Sequence, residues 1–227
     1  MWLASADPGP MLDYLGDRIS ERKLRLFAVA CCRRHWALLG GEYARSAVEA
    51  AEGFAEGLAA ADTLAAAANN ANVTAYNAPF FEMPAHMATA ETAAENIRET
   101  VRAATQQLQQ VAYRAAAYGG LPGPDEVEEG RRAAAEERRA QAVLLREVAG
   151  NPFRPAAAEP LWLGWNDACV VRLARTIYAD RRFEEMTILG DALEDAGCRD
   201  ESIIDHCRAV EGHCLGCWVL DLLLARG

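Results

Sequence analysis

The chain predicts an all-α fold, and three observations carry that prediction. Alanine takes an unusually large share of the 52% hydrophobic residues, and alanine is the strongest helix former. Apolar residues recur at three- and four-residue spacing over long stretches, the signature of one buried helix face. No stretch alternates apolar and polar residues with period two, and no hairpin turn is bracketed by β-branched runs. The expected architecture is a multi-helix bundle with two long amphipathic helices and a compact C-terminal group of short helices. At 227 residues the chain is long enough to bury a core without disulfide or metal staples.

Ser20 to Leu39 opens with a serine that can cap a helix and carries an unbroken apolar run from Leu26 to Cys32. A helix apolar on all sides belongs at the centre of a fold. Cys31 and Cys32 are then small core residues, because vicinal cysteines in a helix cannot bond without distortion, and His35 is a hydrogen-bonded core or boundary residue. From Glu42 to Ala68, the positions Tyr43, Ala47, Ala50, Phe54, Ala61 and Ala68 predict one long amphipathic helix, with Leu58 and Leu64 beside its seam. Ala94, Ile97, Val101, Ala104, Leu108, Val111, Ala115 and Tyr118 predict the second long helix.

Asn69 to His86, between these helices, has the length of a functional or disordered loop and holds Tyr76, Phe80, Phe81 and Met83. Two readings of these side chains stand: they fold back over the helix ends, or they dock a protein partner. Gly119–Gly120 ends the second helix, and Asp125 and Glu128 behind Pro124 have the spacing of a capping box for a helix running to Val148. Gly150 and the two prolines of GNPFRP stop it. The boundary falls there: residues 1–150 form a long-helix region and 151–227 a compact helical region, expected to pack on the first as one unit.

In the C-terminal region, Asn166 or Asp167 can cap a helix with Val170, Ala174, Ile177 and Tyr178 on one face. The next helix buries Phe183, Met186, Leu189 and Leu193 and turns Glu184, Glu185, Asp191 and Asp195 to solvent. Asp200 starts a short helix burying Ile203, Ile204 and Cys207, Gly212 turns the chain, and a final helix buries Cys217, Leu220 and Leu224. His206 and His213 then sit at helix ends, where imidazole can satisfy orphan backbone groups.

The net charge of −10 repels nucleic acid and anionic membranes. No run of about 18 apolar residues occurs, and the opening MWLASADPGP lacks the basic flank and apolar core of a signal peptide. The expected location is the cytoplasm, and an odd count of seven cysteines fits reduced thiols. No Gly-rich phosphate loop, nucleophile elbow or His-Glu-x-x-His helix is present. Arg199 and His206 resemble the Arg-x(4–6)-His signature of the HEPN ribonucleases, but an acidic chain lacks the basic groove that RNA requires.

The densest chemistry lies in GCRDESIIDHCRAVEGHCLGCW, Gly197 to Trp218. A zinc site needs about four ligands at one tetrahedral point. Cys214-Leu-Gly-Cys217 has the spacing of a zinc knuckle, yet no second Cys-x-x-Cys or His-x(3–5)-His completes it. A helical closure explains the same residues without a cofactor.

The segments WLASADPGPMLDYL, ERKLRLFAVACCRRHW, LLREVAGNPFRP, WLGWNDACVVRLARTIYADRRFEEMTILGDALEDAGC and DHCR…H…GCWVLDLLL together resemble a family of helical proteins expanded in planctomycetes. The resemblance covers both ends of the chain and implies no established activity. It maps the family's ending onto His206, Cys207, Arg208, His213, Gly216, Cys217 and Trp218, and Cys214 departs from it. Cys198, His206, Cys207, His213 and Cys217 remain as metal candidates.

The leading functional expectation is a non-catalytic helical interaction or adaptor protein without a cofactor. Tyr76, Phe80, Phe81 and Met83 would contact an unidentified protein partner, with neither nucleic acid nor membrane involved. The alternative is a zinc-stabilised C-terminal module using Cys207, His213 and Cys217 with His206 or Cys198. An enzyme of unrecognised type comes third.

Overall fold

The computed structural model describes residues 2–117, 123–209 and 212–227. Among them lie eleven α-helices and no strand, so the chain is all-α. It divides into two compact units, Met1–Leu145 and Arg146–Gly227. The division falls inside a helix, five residues before the expected boundary, and gives the last turn of that helix to the second unit. No helix among the described residues is long and apolar enough to cross a membrane.

In the first unit, α1 (Pro8–Leu15) starts where the Asp7 carboxylate accepts from the Gly9 N–H at 2.8 Å, an N-cap with proline in the first turn. Helix α2 (Glu21–Arg34) starts at Ser20, whose hydroxyl accepts from the Lys23 N–H. Every residue from Leu24 to Cys32 is buried, as a central helix requires.

The expected single helix over 42–68 is two helices, α3 (Gly41–Ala55) and α4 (Ala61–Asn77). The cause is Gly57, which takes a φ of +73° while the Leu58 and Ala59 N–H groups both bond back to the Gly53 carbonyl. This left-handed step costs glycine little and ends the helix. The buried stripe of α3 is Ala44, Ala47, Val48 and Ala51, leaving Tyr43 and Phe54 outward. The neighbouring helices approach over alanines, which the two aromatics would hold apart.

The segment 69–86 is mostly helical rather than a loop. Helix α4 continues to Asn77 because Ala71 and Ala75 extend the buried stripe begun by Leu64. Its polar residues bond backward within the helix, Thr74 to the Asn70 carbonyl and Asn77 to the Val73 carbonyl. Helix α5 (Met83–Thr92) follows, buried on most sides by Ala85, His86, Ala88, Thr89, Ala90 and Thr92. It packs against α4 and against α6 (Ile97–Ala117). A short helix enclosed by small residues shows no amphipathic period, so no pattern announces it.

The C-terminal end of α5 is held by Arg25 of α2. Its guanidinium donates to the carbonyls of Thr92, Ala94 and Glu95 at 3.0, 2.8 and 3.1 Å, groups that a helix end leaves without partners. Helix α6 buries Ile97, Val101, Ala104, Leu108 and Val111 as the spacing predicted, while Ala115 faces out and Tyr118 lies outside the described residues. Helix α7 (Pro124–Ala149) begins at Pro124, so Asp125 sits in its first turn instead of capping it. Gly150, at φ +68°, ends it as expected.

The second unit contains the last turn of α7 and helices α8 (Pro160–Asp180), α9 (Met186–Asp195), α10 (Glu201–Arg208) and α11 (Trp218–Leu224). The expected start of α8 at Asn166 or Asp167 is instead an internal break. Asn166, Asp167 and Ala168 adopt left-handed angles after a short opening turn from Pro160. Beyond the break, Val170, Ala174, Ile177 and Tyr178 form the buried face, joined in one core by Met186, Leu189, Leu193, Ile203 and Leu220. A Cβ at Gly190 would come within 3.1 Å of the Cys207 Cβ, so α9 and α10 touch nearly backbone to backbone.

Candidate metal centre

Four side chains of the second unit converge on one point. Glu147 comes from the last turn of α7, His206 from α10, His213 from the connection after α10, and Cys217 from the N-cap position of α11. Gly212 and Gly216, at φ +103° and +85°, turn the chain on either side of His213. That turn returns its ring to the end of α10, where Nε2 meets the Ala209 carbonyl at 3.1 Å.

One Glu147 oxygen, Oε1, lies 3.2 Å from His213 Nδ1, and the other, Oε2, lies 3.2 Å from His206 Nε2. His206 Nε2 is also 3.2 Å from Cys217 Sγ. One ligand atom from each residue falls within 4.8 Å of all the others. Cys217 is fully buried, and the side chains of Glu147 and His213 are 7% and 4% exposed. The second nitrogen of His206, Nδ1, accepts from the Trp218 indole N–H at 3.0 Å. Trp218 in turn lies against Gly150, where a Cβ would come within 3.2 Å of its ring.

Burial dominates the electrostatics. It lowers the His206 pKa below the usual imidazole value, with the positive charge of a protonated His213 acting in the same direction and Glu147 opposing. For His213, burial also disfavours the charged ring, but the hydrogen bond and charge of Glu147 and the Ala209 carbonyl outweigh it and raise its pKa. The Cys217 thiol is pushed well above its usual range by burial and then by the Glu147 charge.

Of the five metal candidates expected from the sequence, the structure brings together His206, His213 and Cys217. Cys198 and Cys207 stay outside the group, buried in the helical core. Adjacent residues on a helix point about 100° apart, so Cys207 enters the core while His206 faces the centre. Cys214 of the knuckle spacing is not in the group either. Glu147 was missed, because it lies 66 residues before His213 among many similar acids.

The arrangement does not suit nucleophilic catalysis. In a Cys-His-acid relay, the thiol and the carboxylate address opposite nitrogens of the imidazole; here both address Nε2. The thiol is also buried and held protonated, the state of an inert cysteine. His206 has both nitrogens engaged, and Arg199 spends its guanidinium on the Glu194 and Cys198 carbonyls. Two surface clefts, one beside Arg45 and Glu49 and one beside Glu128 and Arg132, are lined by residues of the first unit.

The aromatic candidates lie in the first unit. Tyr76 is 90% exposed on α4, and Phe80 and Phe81 are exposed on the turn after it, while Met83 is half-buried at the start of α5. Arg114 stacks over Phe80 and donates to its carbonyl.

The fold and the site thus define an all-α protein with a partly buried Glu-His-His-Cys cluster. Compared with protein-family models, with curated proteins and with solved structures, the chain has no significant match.

Proposed function

We propose that this is a non-catalytic helical protein whose second unit is closed by a zinc ion held by Glu147, His206, His213 and Cys217. The observation that carries this reading is the convergence of four donors of the types zinc prefers. With one ligand atom from each residue, the four lie within 4.8 Å of one another, so modest side-chain adjustment would bring them to the edges of about 3.3 Å of a tetrahedron with bonds of about 2.0–2.1 Å to nitrogen and oxygen.

Charge favours the same reading. A divalent cation is neutralised by one carboxylate and one thiolate, and metal coordination removes the thiol proton outright. Without such a cation, the Glu147 carboxylate lies buried beside a thiol and two rings. Four protein ligands close the coordination sphere, the pattern of a structural rather than a catalytic zinc. The ion would fasten the end of α7 to α10 and α11. The ending that resembles the planctomycete family takes in three of the four proposed ligands, His206, His213 and Cys217, together with the core residue Cys207, and leaves out Cys214.

Metal analysis of protein purified without added zinc tests this. About one equivalent per chain is expected in the wild type and in Cys214→Ser, and loss of most of it in Cys217→Ser. Less than about a tenth of an equivalent in the wild type rejects the reading.

A second observation supports the adaptor reading for the first unit: Tyr76, Phe80 and Phe81 expose three aromatic rings at one end of α4. Exposed aromatics of this kind suit the core of a protein interface. Capture of a host protein by the wild type but not by Tyr76→Ser/Phe81→Ser, at unchanged stability, supports that role.

A further inference from the structure

The environment of His206 contains a competitor for the metal. An indole nitrogen can only donate a hydrogen bond, so the 3.0 Å contact from Trp218 Nε1 requires a lone pair on His206 Nδ1. A neutral imidazole has one such nitrogen, which places the ring proton on Nε2. Nε2 then points that proton at Glu147 Oε2 and Cys217 Sγ, each 3.2 Å away.

A metal needs the lone pair on Nε2. To supply it, the ring proton must leave Nε2 and a proton must take Nδ1, so the ring gains and loses one proton while Cys217 gives its own to solvent. Nδ1–H would then face the Trp218 N–H, two donors with no acceptor between them. Metal-bound histidines ordinarily donate their second N–H to a carbonyl or carboxylate. His213 fits that rule through Ala209, but His206 does not.

Resting on the zinc reading above, we infer that Trp218 competes with the metal for His206. Zinc occupancy is therefore reversible, with His206 the ligand that leaves first. The two arrangements are exclusive: the indole bond to Nδ1, or the metal bond from Nε2. Gly150 supports the competitor, because the absence of a side chain there lets the Trp218 ring lie against the backbone. A centre built this way holds its ion less tightly, and exchanges it more readily, than one in which every ligating histidine donates its second N–H to an acceptor.

The test titrates zinc chloride into the full chain, labelled with 15N-tryptophan and first stripped of metal with a chelator, and follows the Trp218 indole N–H resonance, assigned through its proximity to the His206 ring. The expected result is an upfield shift and faster exchange with water, complete at about one equivalent of zinc. Competition against a chromophoric chelator should show Trp218→Phe binding zinc about five- to tenfold more tightly than the wild type, the effect of removing one opposing hydrogen bond. Zinc that binds without moving the indole resonance overturns the competition, and so does equal or weaker binding by a folded Trp218→Phe. Should that variant not fold, the wild-type resonance decides alone. Failure of the wild type to bind zinc at all instead removes the metal reading beneath it.

Discussion

Helix α7 carries two buried carboxylates, Glu137 in the first unit and Glu147 in the second, and their surroundings differ in kind. Glu137 Oε2 lies 3.2 Å from Arg34 Nε and 3.0 Å from His35 Nε2, and its Oε1 accepts from Gln141. Gln141 passes the network on to Gln109 and to the Thr105 carbonyl. Two further carboxylates of the first unit follow suit, Glu52 pairing with Arg33 and Glu56 with Arg22. Each has a guanidinium as counter-ion. Glu147 instead faces two imidazoles and a thiol, groups that offer lone pairs once a proton leaves. Arginine has no lone pair to give a metal, so Glu137 is a member of an ion-pair network and Glu147 is one of a set of ligands.

The sharpest break of this comparison is the same substitution at both sites. Glu147→Gln should release the zinc and lower the unfolding midpoint of the second unit by about 5–15 °C, because binding to the folded state alone is stabilising. Glu137→Gln should leave the metal content unchanged and cost about 1–2 kcal/mol in urea unfolding, since Arg34 and Gln141 lose part of their acceptor. If both substitutions leave metal content and midpoint alike, the distinction between the two carboxylates fails.

Between these effects stands Arg25→Met. It withdraws three donors from the carbonyls of Thr92, Ala94 and Glu95 in a buried setting. Unmatched buried acceptors cost about 1–3 kcal/mol apiece before relaxation, so a loss of about 3–5 kcal/mol is expected. Hydrogen exchange should show the α5–α6 junction opening while the amides of α10 and α11 stay protected. Loss of protection in α10 as well would show that the two units do not respond separately.

These contrasts also mark what the sequence could reveal. Where large apolar residues repeat at helical spacing, as in α2, α6 and α9, the pattern located the helix and most of its buried face. Where alanine replaced them, it lost the register: α3 buries Ala44 and Ala51 rather than Tyr43 and Phe54, and α5 gave no period at all. In the candidate centre, His206, His213 and Cys217 were legible because they lie within one dense segment. Glu147 was not, since its partners lie far along the chain and nothing local separates it from Glu136 or Glu137. The same dense segment offered Cys198, Cys207 and Cys214, and only the rotation of α10 and the turn at Gly212 separate ligands from core.

The smallest expected effect tests whether the first unit contains a carboxylate without a counter-ion after all. Glu91, in the last turn of α5, has its Oε2 buried without a hydrogen-bond partner among the described residues. Burial raises its pKa from 4.5 to about 7. The folded state therefore holds this proton more tightly than the unfolded chain, and stability falls as pH rises through the window between those two values. Below the window the acid is neutral in both states, and above it the folded protein holds a desolvated charge. Glu91→Gln keeps the shape and removes the titration. Urea unfolding of both proteins at pH 5 and pH 8 should show the wild type losing stability relative to the variant at the higher pH, by an amount that depends little on salt because desolvation is its cause. Parallel pH profiles would mean that the carboxylate reaches water or a cation, and that the first unit pairs its buried acids without exception.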